Sequence, residues 1–389
     1  MRSVKLKEFS VSDGGSVNPA KHKDEIFDLY SISAYDTYKP EILPGAAIGS
    51  AKKVVQTNDV LISRIVPHIR RVWVVGPNNG RRQIASGEWI IYRGDSFDPN
   101  YLRHILMADH FHQQFMKTVS GIGGSLLRAR PSEVEKVKIP LPPLLEQKRI
   151  ASILNKADAI RRKRQAAIKL AEDFLHATFL DMFGDPVTNP KGWMVEPLGE
   201  HCEEMRYGSS VKCSAIKAEN SLPVLRIPNV AKEKVNFEDI VYSSLPKQER
   251  TKLKLINGDL LFVRTNGNPD YIGRCAVYKN DTDMLYASYL IRVRLKKDKL
   301  LPEYVQACIS SKSYRKIIIK EAKTTAGNYN INTQGLRGLK IPMASLWKQK
   351  KYLEINNIVE KQITKKYLGV EYSETLFNSL TQRAFRGEF

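Results

Sequence analysis

Cysteine is scarce and scattered in this chain of 389 residues. Cys202, Cys213, Cys275 and Cys308 form no CxxC pair, and the nearest two have ten residues between them. That spacing argues against zinc knuckles and fingers, and four thiols in so large a chain do not make a disulfide framework. Free thiols fit a reducing, cytoplasmic setting. Histidine is also sparse: there are seven, with no HxxxH or HExxH spacing, so no metal site is expected. No run of about 18 apolar residues could span a bilayer. Met1–Phe9 carries charge but lacks the apolar stretch of a secretory signal. Acidic residues are in the minority: 41 Asp and Glu face 62 Lys and Arg, a net charge of +21, with a pI near 9.6. Such an excess is the electrostatic footprint of a nucleic-acid binder. An anionic membrane surface would call for a basic amphipathic anchor or a lipidation motif, and neither is present.

Catalytic signatures are missing too. Asn268-Pro269-Asp270-Tyr271 comes nearest to the Asn/Asp-Pro-Pro-Tyr/Phe loop of an amino-methylating enzyme, but its third position is Asp. No glycine-rich turn after a strand offers a cofactor site, so the string reads as a turn. Pro269-Asp270 and Glu321-Ala322-Lys323 match a nuclease-like PD…ExK pattern only formally, because they stand fifty residues apart. Gly121-Ile122-Gly123-Gly124 is not followed by the Lys-Ser/Thr of a phosphate-binding loop. The chain reads as a non-catalytic binder.

What the chain does contain is a repeat. Ile139-Pro140, Leu144, Gln147 and Lys148 return 202 residues later as Ile341-Pro342, Leu346, Gln349 and Lys350. Upstream, Asn58-Asp59-Val60-Leu61-Ile62-Ser63-Arg64 is echoed by Asn257-Gly258-Asp259-Leu260-Leu261-Phe262-Val263-Arg264. Ala85-Ser86-Gly87-Glu88-Trp89 is echoed by Ala287-Ser288-Tyr289-Leu290. Two copies of one unit imply pseudo-twofold symmetry, and duplex DNA is the commonest target with two halves.

Within each copy, short β-like runs precede Ile-Pro and a long helix. Beta patterning marks Val60–Ile62, Val72–Val75 and Trp89–Tyr92, then Val224-Leu225, Leu260–Val263 and Leu290–Val293. Single helices are expected from Pro99 to about Lys117 and from Pro302 to about Lys320. From Leu144 to Phe183 there is no Gly or Pro, and Gly184 and Pro186 end the run. Apolar residues recur there at helical spacing, and ~40 residues make a rod of roughly 60 Å. A second rod runs from Leu346 to about Phe385, with Gly369 expected to soften its middle. Neither can bury its stripe alone, which implies an antiparallel coiled-coil pair. The expected fold is α+β: mixed α/β domains at 1–138 and 187–340, with spacer helices at 139–186 and 341–389.

Candidate DNA-reading residues lie in loops that leave the strands. Arg64, His68, Arg70 and Arg71 cluster in the first half; Arg264, Asn266, Asn268 and Arg274 follow the equivalent strand in the second. Arg can bond guanine O6 and N7 bidentately, and Asn can bond adenine N6 and N7. Gly121, Gly123 and Ser125 precede the first Ile-Pro, and Asn328, Tyr329 and Asn330 precede the second. Tyr207, Ser209, Arg226 and Asn229 lie in further loops of this kind. Dispersed Lys and Arg would supply the phosphate contacts that fix register.

Ile139-Pro140-Leu141-Pro142-Pro143-Leu144-Leu145-Glu146-Gln147-Lys148-Arg149-Ile150, with the helix ending Asp181-Met182-Phe183-Gly184-Asp185-Pro186, closely resembles the central spacer of type I restriction-modification specificity subunits. Leu380–Phe389 and the Asn257–Phe262 string are similar to other parts of that family. The resemblance implies two target-recognition domains that read a bipartite DNA sequence, and two helices that set the spacing. It also implies docking of two modification (methyltransferase) subunits on those helices, for which Leu154, Arg161, Phe174, Phe183, Ile358, Phe377 and Phe385 are the expected contacts. A restriction subunit with translocase and nuclease activity would join them. S-adenosylmethionine, Mg²⁺ and ATP would then belong to the partners. The second Ile-Pro segment lacks the Pro142-Pro143 of the first. A stand-alone bipartite DNA-binding regulator is the alternative reading, and a fused methyltransferase with a hidden motif the more distant one.

Overall fold

The computed structural model describes residues 2–11, 14–121, 127–325 and 327–386. Two compact units emerge, one from residues 1–166 with 367–389, the other from 167–366.

In the first unit, Val60–Ser63 is the middle strand of an antiparallel sheet between Val72–Val74 and Trp89–Tyr92. Side chains alternate across a strand, and here both faces are covered. Val60 and Ile62 pack with Tyr101, Leu102 and Ile105, while Leu61 packs with Trp73, Trp89 and Ile91. A five-stranded sheet completes the unit, with Ile26–Tyr30 and Arg82–Ala85 paired parallel near its centre. The second unit follows the same plan. Leu260–Val263 lies between Cys275–Val277 and Leu290–Leu295, and a parallel pair joins Leu222–Leu225 to Leu285–Tyr286. Leu260 and Phe262 face one cluster, Leu261 and Val263 the other.

Local details repeat as well. Asn58 and Gly258 both take positive φ, +74° and +95°, in the turn before the central strand. The next residue, Asp59 or Asp259, is 1% exposed. Asp59 accepts from the Gln56 backbone N–H and from Arg93, and Asp259 accepts from Ile256 N–H and Arg294. Charge-assisted bonds of this kind offset the cost of burying a carboxylate.

Ala108 breaks the helix expected from Pro99 to Lys117 into Pro99–Met107 and Asp109–Met116. Ser311 likewise separates Pro302–Ser310 from Lys312–Glu321, and its hydroxyl accepts from Tyr314 N–H as an N-cap. Both break residues are extended, with ψ of 149° and 145°.

The long helices run Leu144–Phe183 and Leu346–Arg386. Gly369 does not interrupt the second. Its carbonyl accepts from Arg164, which also donates to Ser373. Within the first unit, Arg164 meets Gly369 and Ser373, Arg161 lies over Phe377, and Ile150 and Leu154 share a core with Ala384. Rising numbers on one helix meet falling numbers on the other, so these portions are antiparallel. Within the second unit, Phe179 and Phe183 lie 5.6 and 5.7 Å from Tyr352, while Glu172 and His176 line one cleft with Glu360 and Ile363. The direction is again antiparallel. No helix among the described residues is long and apolar enough to cross a membrane.

Candidate nucleic-acid interface

In the second unit the central strand delivers Arg264 to the edge of its sheet. Arg264 N–H donates to Tyr289 O, and Ile331 N–H donates to Arg264 O. The next two residues, Thr265–Asn266, pair with Asn328–Asn330, which pairs in turn with Lys323–Thr325. The three-stranded ribbon thus brings Arg264, Asn266, Asn328, Tyr329 and Asn330 together. The Arg264 guanidinium sits 4.6 Å from the centre of the Tyr207 ring and donates to Ser288 O at 3.2 Å. Ser288 is held by Ser209 through a 2.7 Å backbone bond, and Tyr207 Oη accepts from Thr333 N–H. Asn266 and Asn268 cap successive turns, each side-chain oxygen accepting a backbone N–H two residues on. Asn268-Pro269-Asp270-Tyr271 is therefore the turn its sequence suggested, with a 3₁₀ helix at Pro269–Tyr271. Arg274 stacks on Tyr271 at 4.9 Å and donates to Asp270 O and Ala231 O.

The first unit builds its counterpart with different chemistry. Arg64 follows the central strand; its N–H donates to Glu88 O, and Ala129 N–H donates to Arg64 O. Its side chain and that of Arg128 share one oxygen, Glu88 Oε2, at 3.0 and 3.4 Å. Two guanidiniums on one carboxylate leave a net positive cluster. Nearby Lys53 has its pKa lowered, first by burial and then by repulsion from Arg64. The short ribbon Val119–Ser120 with Arg128–Ala129 lies beside Arg64 through the Ile65–Arg128 bridge. Gly121 takes φ +122° as it leaves that ribbon, a backbone state that suits glycine. Gly123 and Ser125 lie outside the described residues. His68 is exposed, whereas Arg70 is tied to Met107 O and Asp109. Arg71 is half-buried and occupies the position of Arg274, its carbonyl accepting from Ser63 N–H as that of Arg274 accepts from Val263 N–H.

Three expected contacts are corrected by burial. Asn229, 1% exposed, spends its side chain on its own loop, accepting from Arg226 N–H and donating to Glu238 O. It has no edge left for a base. Leu154 and Phe183, 0% and 2% exposed, are core residues of their own units. Arg226 donates to Asp239 O. Arg161 is engaged with Asp158, and Phe377 is half-buried against the core. Phe174 and Ile358 stand 52% and 64% exposed; the Phe385 side chain lies outside what is described. The sequence reading missed Glu88, Arg128, Lys53 and the exposed Tyr289. Glu88 and Tyr289 occupy equivalent places, each offering its carbonyl to the ribbon arginine. Their position in the repeat was the available signal.

A duplicated α+β scaffold thus carries a ribbon at the same place in each copy, cationic beside Glu88 in the first unit and amide-bearing beside Arg264 in the second. Residues 4–170 match the model of the type I restriction modification DNA specificity domain. The chain is 28% identical over 287 residues to the EcoKI type I restriction enzyme specificity subunit of Escherichia coli (strain K12), across 68% of this chain and 61% of that one. It is 23% identical over 307 residues to the StySPI specificity subunit of Salmonella potsdam, across 75% and 65%. The chain thus spans under two thirds of the length of these relatives. The solved type I restriction-modification S subunit from M. genitalium shares the fold, with a TM-score of 0.60 across 99% of this chain and 96% of its own at 11% identity.

Proposed function

We propose that this chain is the DNA-sequence specificity subunit of a type I restriction-modification complex. Each unit reads one half of a bipartite duplex target, and the two long helices set the number of unread base pairs between the halves. The observation that carries this reading is the repeated ribbon. Arg64 and Arg264 leave equivalent strands through the same backbone bonds, yet one is surrounded by Glu88 and Arg128 and the other by tyrosines and asparagines. A shared scaffold with unlike surfaces suits a target with two unlike halves. The net charge of +21 supplies the sequence-independent phosphate attraction.

In this reading the chain recognises and its partners catalyse. Two modification subunits dock on the long helices, where Phe174 and Ile358 expose apolar surface. A restriction subunit joins them, and S-adenosylmethionine, Mg²⁺ and ATP act on those partners. The test is co-expression of the chain with the modification subunits, followed by methylation sequencing of DNA exposed to the complex. Two short specified stretches separated by a fixed unspecified gap are expected. Methylation without that pattern would contradict the proposal.

A further inference from the structure

The two units enter their folds alike. Ser3–Lys5 pairs with Lys138–Pro140, and Val195–Pro197 pairs with Lys340–Pro342. A single 3₁₀ turn follows each, Leu6–Phe9 and Leu198–His201. The backbone anchors match: Leu6 N–H donates to Val137 O and Leu198 N–H to Leu339 O, while Phe9 O and His201 O accept from Arg93 and Lys296 N–H. Val4 thus corresponds to Glu196, Glu8 to Glu200, and Phe9 to His201.

In the first unit two of these positions are plain core. Val4 and Phe9 are buried, and Phe9 meets Phe97 edge-on at 5.1 Å. The scaffold therefore needs no polar group there. The second unit nevertheless holds an imidazole and a carboxylate in the same places, with a second carboxylate beside them. His201 is 4% exposed. Its Nε2 lies 2.6 Å from Glu196 Oε2, but the approach is off-axis, and this buried nitrogen makes no hydrogen bond. One donor atom from each of Glu196, Glu200 and His201 lies within 4.8 Å of the others. A buried polar nitrogen without a hydrogen bond calls for another partner, and two carboxylates stand beside the ring.

We propose that Glu196, Glu200 and His201 form a divalent-cation site particular to the second unit, with zinc the best-suited ion. Zn²⁺ accepts both imidazole nitrogen and carboxylate oxygen, and three protein ligands with a fourth position left to water are its usual open arrangement. Glu200 is exposed, so solvent reaches the cluster. Lys299 Nζ lies 3.9 Å from Glu196 Oε2 and opposes a cation, but its side chain is 58% exposed and free to turn into water. Lys296 Nζ donates to the Glu200 carbonyl, which leaves that carboxylate free of it. All three ligands lie within six residues where the strands of the second unit begin, after the first long helix. A bound ion would clip that entry locally and do no chemistry on DNA.

The test is equilibrium dialysis of the full chain against zinc chloride, with metal content measured by elemental analysis. Three proteins are compared: wild type, the double variant E196V/H201F carrying the residues of the first unit, and E200Q. Wild type is expected to hold one zinc more per chain than E196V/H201F, and E200Q to bind about tenfold or more weakly. X-ray absorption of the zinc form should show a single imidazole ligand. Equal zinc content in wild type and E196V/H201F, or no zinc in wild type, would overturn the proposal and leave a contact ion pair. Should the double variant not fold, unchanged zinc affinity in E200Q, altered only at an exposed side chain, would overturn it equally.

Discussion

Gln147 and Gln349 are both 0% exposed and do the same work in each unit. Gln147 Oε1 accepts from Asp98 N–H, and its Nε2 donates to Ser96 O and Pro142 O. Gln349 accepts from Leu301 N–H and donates to Lys299 O and Ala344 O. Each amide fastens the first turn of a long helix to the loop before a shorter one. Truncation would orphan buried backbone groups at about 1–3 kcal/mol each. Gln349→Ala is therefore expected to cost at least ~2 kcal/mol, read as a lower midpoint in urea with unchanged slope. A midpoint equal to wild type would refute that role. The repeat located this pair in the sequence, but its burial was not legible there, because a recurring residue does not declare which backbone groups it meets. Asn229 failed in the opposite sense: its loop setting suggested a base reader, and only the folded loop shows both ends of the amide already used.

His104 makes a separate prediction at the same scale. Burial, then repulsion from Arg103, push its pKa down to about 4 against an opposing bond to Asn155, with Asp158 and Arg162 also facing it. The folded value lies below the ordinary value of about 6.5, so the unfolded chain takes up the proton first. The stability involved is fully present above pH ~6.5 and is lost as pH falls towards 4, with about 2 kcal/mol gone by pH 5. Urea titrations of wild type and His104→Gln at pH 7 and pH 5 should show a smaller loss in the variant. Equal losses would show that other groups set the acid limit.

At the scale of elements, the long helices were the most legible feature. Forty residues free of Gly and Pro leave little choice, and the first helix ends where Gly184 and Pro186 said it would. The breaks at Ala108 and Ser311 were hidden, because apolar spacing continues across them and neither residue forbids a helix. The strands were legible only in part. Val60–Ser63 and Leu260–Val263 declare themselves by composition, whereas the parallel partnership of Ile26–Tyr30 with Arg82–Ala85 depends on residues more than fifty positions apart. The helices also carry the element-scale prediction. Adding ~7 residues to each, between 166 and 167 and between 366 and 367, lengthens a rod by about 10 Å, or ~3 base pairs at 3.4 Å each. The unread gap in the target should widen by about that number. An unchanged gap would defeat the ruler.

For the molecule as a whole, charge and repetition together carry the account. In the proposed function the excess of cations draws the chain to nucleic acid, and the duplicated plan supplies two readers. The ribbons differ enough that their preferences should be separable: Glu88 joins two arginines in one, while Tyr207 flanks a lone arginine among asparagines in the other. That division was visible in the sequence as two echoes with dissimilar intervals. Which side chains face outward was not, since five of the six arginines named as DNA readers turned out to be bonded to carboxylates or carbonyls. The most direct measurement is methylation sequencing with a chimaera in which residues 1–138 are replaced by the equivalent segment of a relative. One half of the methylated sequence should change while the other half and the gap stay as they were. A change in both halves, or in neither, would contradict two independent readers on one repeated scaffold.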